Sequence, residues 1–407
     1  MTNSLSKLNP EFWAREAERT LFVENKAMVI ANLTLRNLVA GEGDTVNRTI
    51  LSYPASTTYV PGTDIDSVAL TGSSEALTIG TWLASLVTID DTEKKQSIVD
   101  IGKLVSSRMM HDHNNRIEQA VLAEITNANW TVDSGNVGGT AGNPIAVTTD
   151  NVPQVFVAAD TKLDAIDAPK QGRTAVVGSH FLGKLKLQQA GRDTVFGDGV
   201  NTRGVVAQLF GWDILYSNNI PYSATLGLAA NPTAGDTVTI AGVTFTFRAT
   251  LNGAGSLHIA DAVDATRINM AAALNAPGTA IAEITTAGYE VVASEDAFLL
   301  RDKRRITATN DSSADTLAIT GYGDIVVAET FDDATDAWAD EQQDSLFCVK
   351  GFTDMIIQIP PRIEVVRDPD QFSDIVKSLL GFGKKTYADG AREAVKVEID
   401  ASTSDWS

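Results

Sequence analysis

Two histidines one residue apart, His111 and His113, have the spacing in this chain that could hold a metal ion. On a β-strand, residues two apart share a face, so both imidazoles could bind one zinc ion. On an α-helix they point about 200° apart, at about 100° per residue. Their chemistry therefore depends on the secondary structure around them.

The flanking sequence predicts a helix over 91–128. Asp91 and Thr92 offer an N-cap, and apolar residues recur every four positions at Ile101, Val105, Met109, Ile117, Val121 and Ile125. A helix separates the two histidines: His113 falls in the gap of the apolar stripe, and His111 lies on another face. We therefore predict no metal site here.

Other catalytic patterns are absent or incomplete. The chain has no CxxC, HExxH or GxSxG. The stretch "GFGKKT" (381–386) resembles a phosphate-binding loop, but Lys385 stands where Ser or Thr must follow the lysine. "GDGVNTRG" (197–204) predicts a turn, and the acidic stretch 332–344 lacks the glycine and spacing of a calcium loop.

The remaining reactive side chains do not suggest catalysis. Cys348 lies in "SLFCVKG", which predicts a small buried strand residue. His180 and His258 have no neighbouring cysteine or serine with a plausible role. We therefore predict that the protein is not an enzyme, with no catalytic residue, no cofactor and no metal.

Composition excludes several classes of protein. The 407 residues include 43% hydrophobic residues and one cysteine, so a core is available and an intrachain disulfide framework is not. No apolar run approaches the roughly 20 residues that span a bilayer, and "MTNSLSKLNPEFWAREAERT" lacks a signal-peptide apolar region. The net charge of −20 gives no global attraction for nucleic acid.

The order of elements along the chain is more informative. Residues 10–38 predict one or two helices, and the Thr-, Ser-, Gly- and Pro-rich segment 41–80 predicts a protruding hairpin. "TWLASLVTID" predicts a strand leading into the long helix. "RTAVVGSHFLGKLKLQQA" predicts a buried strand and then a helix, and "GWDILYSNNIP" another strand.

Residues 224–345 predict an inserted α+β domain. Ala241-Gly242 joins two alternating strands, an Ala-rich helix follows over 261–277, and 288–321 predicts further strands. The acidic stretch at its end predicts a solvated linker or helix. With 18 Asp and Glu against 6 Lys and Arg, it carries −12 of the net −20. We expect this segment to be an autonomous domain whose negative charge would repel nucleic acid.

This order resembles the major capsid proteins of tailed bacteriophages, whose Hong Kong phage capsid fold is shared with the herpesvirus capsid floor. The residues that carry the resemblance are "NPEFWAREAERTLF" as an arm, 41–80 as an extended loop, 91–128 as a spine helix, and "AVVGSHFLGKLK" with "GWDILYSNNIP" in an axial domain. None is a short diagnostic motif, so the specificity lies in order and length.

The resemblance implies an α+β fold with an N-terminal arm, an extended loop, a peripheral domain with a long spine helix, an axial domain and an inserted β-rich domain. The boundaries that it implies are an arm at 1–40, the extended loop at 41–80, a peripheral domain at 81–135 and 363–407, an axial domain at 136–223 and 346–362, and the insertion at 224–345. The arm starts close to Met1, so we expect any scaffold to be a separate protein.

The function implied by the resemblance is that of a major capsid protein. It would self-assemble as hexamers and pentamers into the icosahedral shell of a virion, in the host cytoplasm, around double-stranded DNA that it does not read by sequence. Its partners would be itself, a separate scaffolding protein, a portal and, as an optional addition, decoration proteins, with no membrane. The alternatives are a tail-tube or decoration subunit, or an encapsulin-like compartment shell.

Overall fold

A computed structural model describes residues 27–34, 44–51, 54, 56, 58–64, 67, 69–97, 101–190, 208–250, 255–276, 294–331 and 336–402. The chain divides into two compact units, one of Met1–Val121 with Gly351–Gly390 and one of Leu122–Lys350 with Ala391–Ser407. Of the helices predicted over 10–38, only 27–34 is described, and there a short helix at Ala27–Ile30 is followed by a strand at Ala31–Asn32. The arm segment 9–22 and the predicted turn at 197–204 lie outside the described residues.

The first unit contains a four-stranded sheet, two successive helices and a separate β-hairpin. In chain order the elements are α1 (Ala27–Ile30), β1 (Ala31–Asn32), β2 (Thr45–Leu51), β3 (Gly72–Thr78), β4 (Thr81–Asp90), α2 (Asp91–Gln96), α3 (Ile101–Leu122), β17 (Thr353–Arg367), β18 (Ser373–Lys385) and α8 (Ala388–Arg392). Helices α3 and α8 continue into the second unit. The sheet order is β1-β17-β18-β4, and β2 pairs with β3 in the separate hairpin. The strands β2 and β3 are the protruding hairpin predicted within 41–80.

The long helix predicted over 91–128 is interrupted. Its first segment, α2, ends at Ser97, which is extended at φ −83° and ψ 137°. The N-cap is Asp90 rather than Asp91 or Thr92, because the Asp90 carboxylate accepts the backbone N–H of Thr92 at 2.8 Å. Ser97 is followed in sequence by β-branched Ile98 and Val99, which lower helix propensity at this point.

The second segment, α3, has the predicted apolar stripe. Ile101, Met109, His113, Ile117 and Val121 are all buried. Ile101 and Met109 pack in one cluster with strand residues of the sheet. After α3 the chain tightens into a 3-10 turn at Ala123–Asn127.

The second unit is built on a nine-stranded sheet and a smaller four-stranded sheet. The elements are β5 (Trp130–Val132), α4 (Val152–Asp164), β6 (Arg173–Val177), α5 (Ser179–Ala190), β7 (Gln208–Leu209), β8 (Trp212–Tyr216), β9 (Pro221–Gly227), β10 (Thr237–Ile240), β11 (Val243–Arg248), β12 (Ser256–His258), α6 (Val263–Asn275), α7 (Ser294–Phe298), β13 (Thr307–Asp311), β14 (Thr316–Tyr322), β15 (Val327–Glu329), β16 (Trp338–Val349) and β19 (Ala394–Asp400). The main path of the large sheet is β13-β14-β9-β16-β6-β8-β7, and β19 pairs with β16 and with β5. The order of the small sheet is β12-β11-β10-β15.

An aromatic cluster fills the core between the large sheet and helices α4 and α5. Phe347 on β16 lies at its centre, with ring centroids 5.2 Å from Phe156, 5.2 Å from Trp212 and 6.2 Å from Phe181. Edge-on contacts of this kind add to the free energy that burial alone supplies. The predicted order of a buried strand and then a helix at 173–190 is present as β6 and α5.

The inserted segment has its predicted hairpin and helix, but two of its predictions are wrong. Residues 294–303 form α7 and a π-helical turn instead of a strand. The acidic residues 338–344 form the first half of β16 instead of a linker or helix, because β9 pairs with them on one side and β19 on the other.

The insertion also continues the host sheet. Strand β14 pairs with β9 along seven residues, from Thr316↔Gly227 to Tyr322↔Pro221, and β9 then pairs with β16. The insertion core contains Tyr222 and Ala401, both outside 224–345. The boundary at 224 therefore cuts a strand.

The two units divide the C-terminal region at positions that differ from the domain boundaries predicted from the sequence. Strands β17 and β18 form one hairpin from Asp354↔Lys385 to Arg367↔Asp374, so 351–390 belongs to a single unit. The expected boundary at 363 would cut this hairpin. Strand β19 pairs with β16 and lies in the other unit.

Candidate functional site

The structure places His111 and His113 in different environments, with different hydrogen-bond partners. His113 is 1% exposed, and its Nε2 lies 2.9 Å from Ser378 Oγ on β18. His111 is partly exposed, and its Nε2 lies 3.0 Å from the Asn115 side-chain amide. Within the described part of the chain, no group of three or more His, Cys, Asp or Glu side chains could hold a metal ion.

Burial is the main cause of a lowered pKa for His113, since it disfavours the charged imidazolium. The nearby Asp112 carboxylate opposes this shift and the Arg116 guanidinium adds to it, both more weakly. His113 is therefore a neutral packing residue between α3 and the sheet.

Ser179, His180 and Asp324 come together in the second unit, although no partner for His180 was predicted from the sequence. His180 Nε2 lies 3.1 Å from one Asp324 oxygen, and Ser179 Oγ donates to the other at 3.2 Å. In a Ser-His-Asp relay the histidine stands between serine and carboxylate. Here Ser179 and His180 each bond to Asp324, so the carboxylate stands between the other two and the order of that relay is not reproduced. Hydrogen bonding from His180 is the main cause of the lowered pKa of Asp324.

The other chemical candidates are structural as well. Cys348 is fully buried in β16, and burial raises the pKa of its thiol, which disfavours the reactive thiolate. Residues 381–385 of the "GFGKKT" stretch lie in strand β18 instead of a phosphate-binding loop.

The surface features of the first unit are more distinctive than its chemistry. The hairpin β2–β3 and the segment between its strands expose large apolar side chains: Leu51 is 61%, Tyr59 59%, Val60 57% and Leu70 59% exposed. An isolated two-stranded ribbon is marginally stable in water. A hairpin of this composition therefore gains stability when a partner covers it.

One face of the four-stranded sheet is also apolar and exposed. Trp82 is 51% and Leu86 is 65% exposed, on the edge strand β4. A shallow cavity of about 340 Å³ lies on this sheet, lined by Ala84, Ser85, Leu86, Arg362, Glu364, Lys377, Ser378 and Leu379. Alternate side chains along a strand face opposite sides of the sheet, and we call the surface formed by Trp82, Ala84, Leu86, Arg362, Glu364, Lys377 and Leu379 the outer sheet face.

Charged residues border the apolar part of the outer sheet face. Lys377 Nζ lies 3.1 Å from Glu364, and Arg362 Nε lies 3.7 Å from the same carboxylate. A cross-strand pair sets the position of the Trp82 ring: Gly381 is its partner on β18, and a Cβ at Gly381 would lie 2.4 Å from the ring. Exposed apolar side chains beside charged ones are a combination that occurs at protein–protein interfaces.

No helix among the described residues is both long and apolar enough to cross a bilayer.

Comparison by sequence finds no matching family model and no matching curated protein. Comparison by structure finds matches that cover almost the whole chain. A chain of Mycobacterium phage Che8 matches with a TM-score of 0.55 at 13% identity, covering 95% of this chain and 96% of that one. The capsid structure of cyanophage P-SCSP1u matches with a TM-score of 0.53 at 13% identity, covering 97% and 94%. The fold is therefore the tailed-phage major capsid fold that the resemblance predicted.

Proposed function

We propose that this protein is the major capsid protein of a tailed phage, which assembles as hexamers and pentamers into the icosahedral shell around double-stranded DNA. The observation that carries the proposal is the structural match to a phage capsid over 97% of the chain. On this proposal the first unit is the peripheral domain with its extended loop, and the second is the axial domain with the insertion.

The surfaces of the first unit support this role. The described part of the extended hairpin carries exposed Leu51, Tyr59 and Leu70. The outer sheet face carries exposed Trp82 and Leu86. In a shell each subunit meets several copies of itself, so the hairpin lies over a neighbouring subunit and the outer sheet face is an assembly contact.

The proposal includes partners and a location. The shell belongs to the virion and forms in the host cytoplasm with a separate scaffolding protein and a portal, and decoration proteins are an optional addition. The protein is structural and performs no catalysis. It encloses DNA without reading its sequence, which agrees with a net charge of −20.

Electron microscopy of the chain, expressed with its neighbouring genes, tests the proposal. We expect closed icosahedral particles with hexameric and pentameric capsomers. Stacked rings would indicate a tail tube, and closed particles filled with cargo protein instead of DNA would indicate a compartment shell.

A surface variant makes the test specific. Leu86→Asp should leave the circular dichroism of the soluble protein unchanged but prevent particle formation, because it replaces an exposed apolar side chain of the outer sheet face with a charged one. Ile268→Asp is the matched control, since Ile268 is 50% exposed on α6 and lies outside this face. Normal particles from Leu86→Asp would contradict the role given to this surface.

A further inference from the structure

The base of the extended hairpin carries a charged cross-strand pair. Arg48 on β2 lies directly opposite Glu75 on β3, one step beyond the apolar pair of Val46 and Leu77 on the same face. Leu77 is fully buried in a cluster with Ile79, Ile356 and Tyr387, and Val46 packs against that cluster. The hairpin is thus held at its base by the apolar contacts of Val46 and Leu77. Two residues further along the same face, the charged side chains of Arg48 and Glu75 follow.

Both members of the charged pair contact one turn of the body, the segment Tyr387–Asp389. Arg48 Nη2 lies 2.9 Å from Asp389 Oδ2, and its guanidinium lies 5.2 Å from the centroid of the Tyr387 ring. The Ala388 backbone N–H donates to Glu75 Oε2 at 3.3 Å. Two side chains from two strands therefore bind three consecutive residues.

The turn that receives these contacts is firmly placed. Tyr387 is 2% exposed. Immediately after the turn, a Cβ at Gly390 would lie 1.9 Å from the carbonyl oxygen of Phe352, so the chain packs against the start of β17 more closely than another residue would allow. The turn is a fixed support against which the hairpin can be oriented.

The charged contacts are too exposed to account for much folding stability. Arg48 and Asp389 are 44% and 54% exposed in their side chains. Exposed ion pairs typically change an equilibrium constant by less than about fivefold. Such a pair can still select among orientations of a two-stranded ribbon, since those orientations differ little in buried area. Arg48 is also the only basic residue in 41–80, so no other side chain of the hairpin can replace it.

We propose that Arg48 and Glu75 form an electrostatic clamp on the turn Tyr387–Asp389 and that this clamp sets the direction in which the extended hairpin leaves its subunit. The inference rests on the proposed shell function for its consequence: the direction of the hairpin decides where its apolar tip meets a second copy. Arg48 is a positioning residue in assembly and does not itself contact the neighbour. Because the clamp is exposed, salt weakens it.

Charge reversal in the full-length protein tests the clamp. The variants are Arg48→Glu, Asp389→Arg and the double variant, with Arg48→Gln as a milder change. Hydrogen exchange of the unassembled protein measures the mobility of Thr45–Leu51 and Gly72–Thr78, and sedimentation measures the fraction that forms particles. Lys350→Glu is the matched control, since the Lys350–Asp213 pair has a similar distance of 3.0 Å and exposures of 42% and 42%.

We expect each single reversal to speed exchange in the hairpin about two- to fivefold, and to reduce particle formation, while exchange in α3 stays unchanged. The double variant should recover much of the slow hairpin exchange and of the particle formation. Recovery should be incomplete, because the carboxylate introduced at position 48 still faces Glu75. Lys350→Glu should change neither. Arg48→Gln should act in the same direction with a smaller effect.

Unchanged hairpin exchange in the single variants, or no recovery in the double variant, would overturn the clamp. Failure of the wild-type protein to form particles under any condition would overturn the proposed function instead, since the exchange measurement does not need a shell. The two failures are therefore distinguishable.

Discussion

Protonation of His113 should loosen the packing of α3 in mildly acidic solution. The ordinary pKa of histidine is 6.5, and burial lowers it in the folded protein. The neutral form is thus favoured by folding, so the stabilisation is fully present above pH 6.5 and is lost as the pH falls below it. Between pH 7.5 and pH 5.5 the largest possible loss is about 1.4 kcal/mol, which corresponds to a tenfold change in the opening equilibrium.

Native-state hydrogen exchange of α3 amides at the two pH values, corrected for intrinsic exchange rates, measures this loss. His113→Gln keeps a side chain that can bond to Ser378 Oγ but cannot titrate, so its α3 opening should lack the pH-dependent component. His111→Gln is the matched control two residues away and should retain it. Equal pH dependence in the wild type and His113→Gln would refute the assignment of His113 as a buried neutral residue.

Four further outcomes are expected. Calorimetry with zinc should show no site that disappears when His111 and His113 are both replaced by Ala, because α3 points them in different directions. Phe347→Ala should lower the free energy of unfolding by about 3–5 kcal/mol in denaturant titrations, because it empties the centre of the aromatic cluster. Particles boiled in SDS should give a single band near 43.3 kDa, because the extended loop has no lysine with which to form covalent cross-links. Residues 225–344 alone should melt at a lower temperature than 221–337, because 225–344 lacks Tyr222, which belongs to the core of the insertion.

Local patterns in the sequence predicted the elements whose shape depends on near neighbours. The stripe of α3 is set by residues four apart, and the β10–β11 hairpin by Ala241-Gly242, both of which have positive φ values of 54° and 85°. The fold class followed from the order and length of such elements. These features need no knowledge of distant parts of the chain.

Distant partners account for what the sequence did not predict. The acidic residues at 338–344 were predicted to be a solvated segment, yet pairing with β9 and β19 makes them a strand. Within that strand Asp344 is buried, and its Oδ2 lies 3.3 Å from Lys396 Nζ. The contact of His180 with Asp324 joins residues 144 apart, and that of Arg48 with Asp389 joins residues 341 apart. No periodicity within a short window carries such information.

The continuous path from β13 to β6 also has a mechanical consequence. A pull on β13 passes through β14, β9 and β16 to β6, across roughly 19 Å of hydrogen-bonded strands at about 4.8 Å per step. A domain on a flexible tether would absorb such a load by stretching its tether. Here the load reaches the strand that carries Phe347, so an external force on the insertion would be borne by the best-packed part of the unit and would be resisted until whole strands separate together.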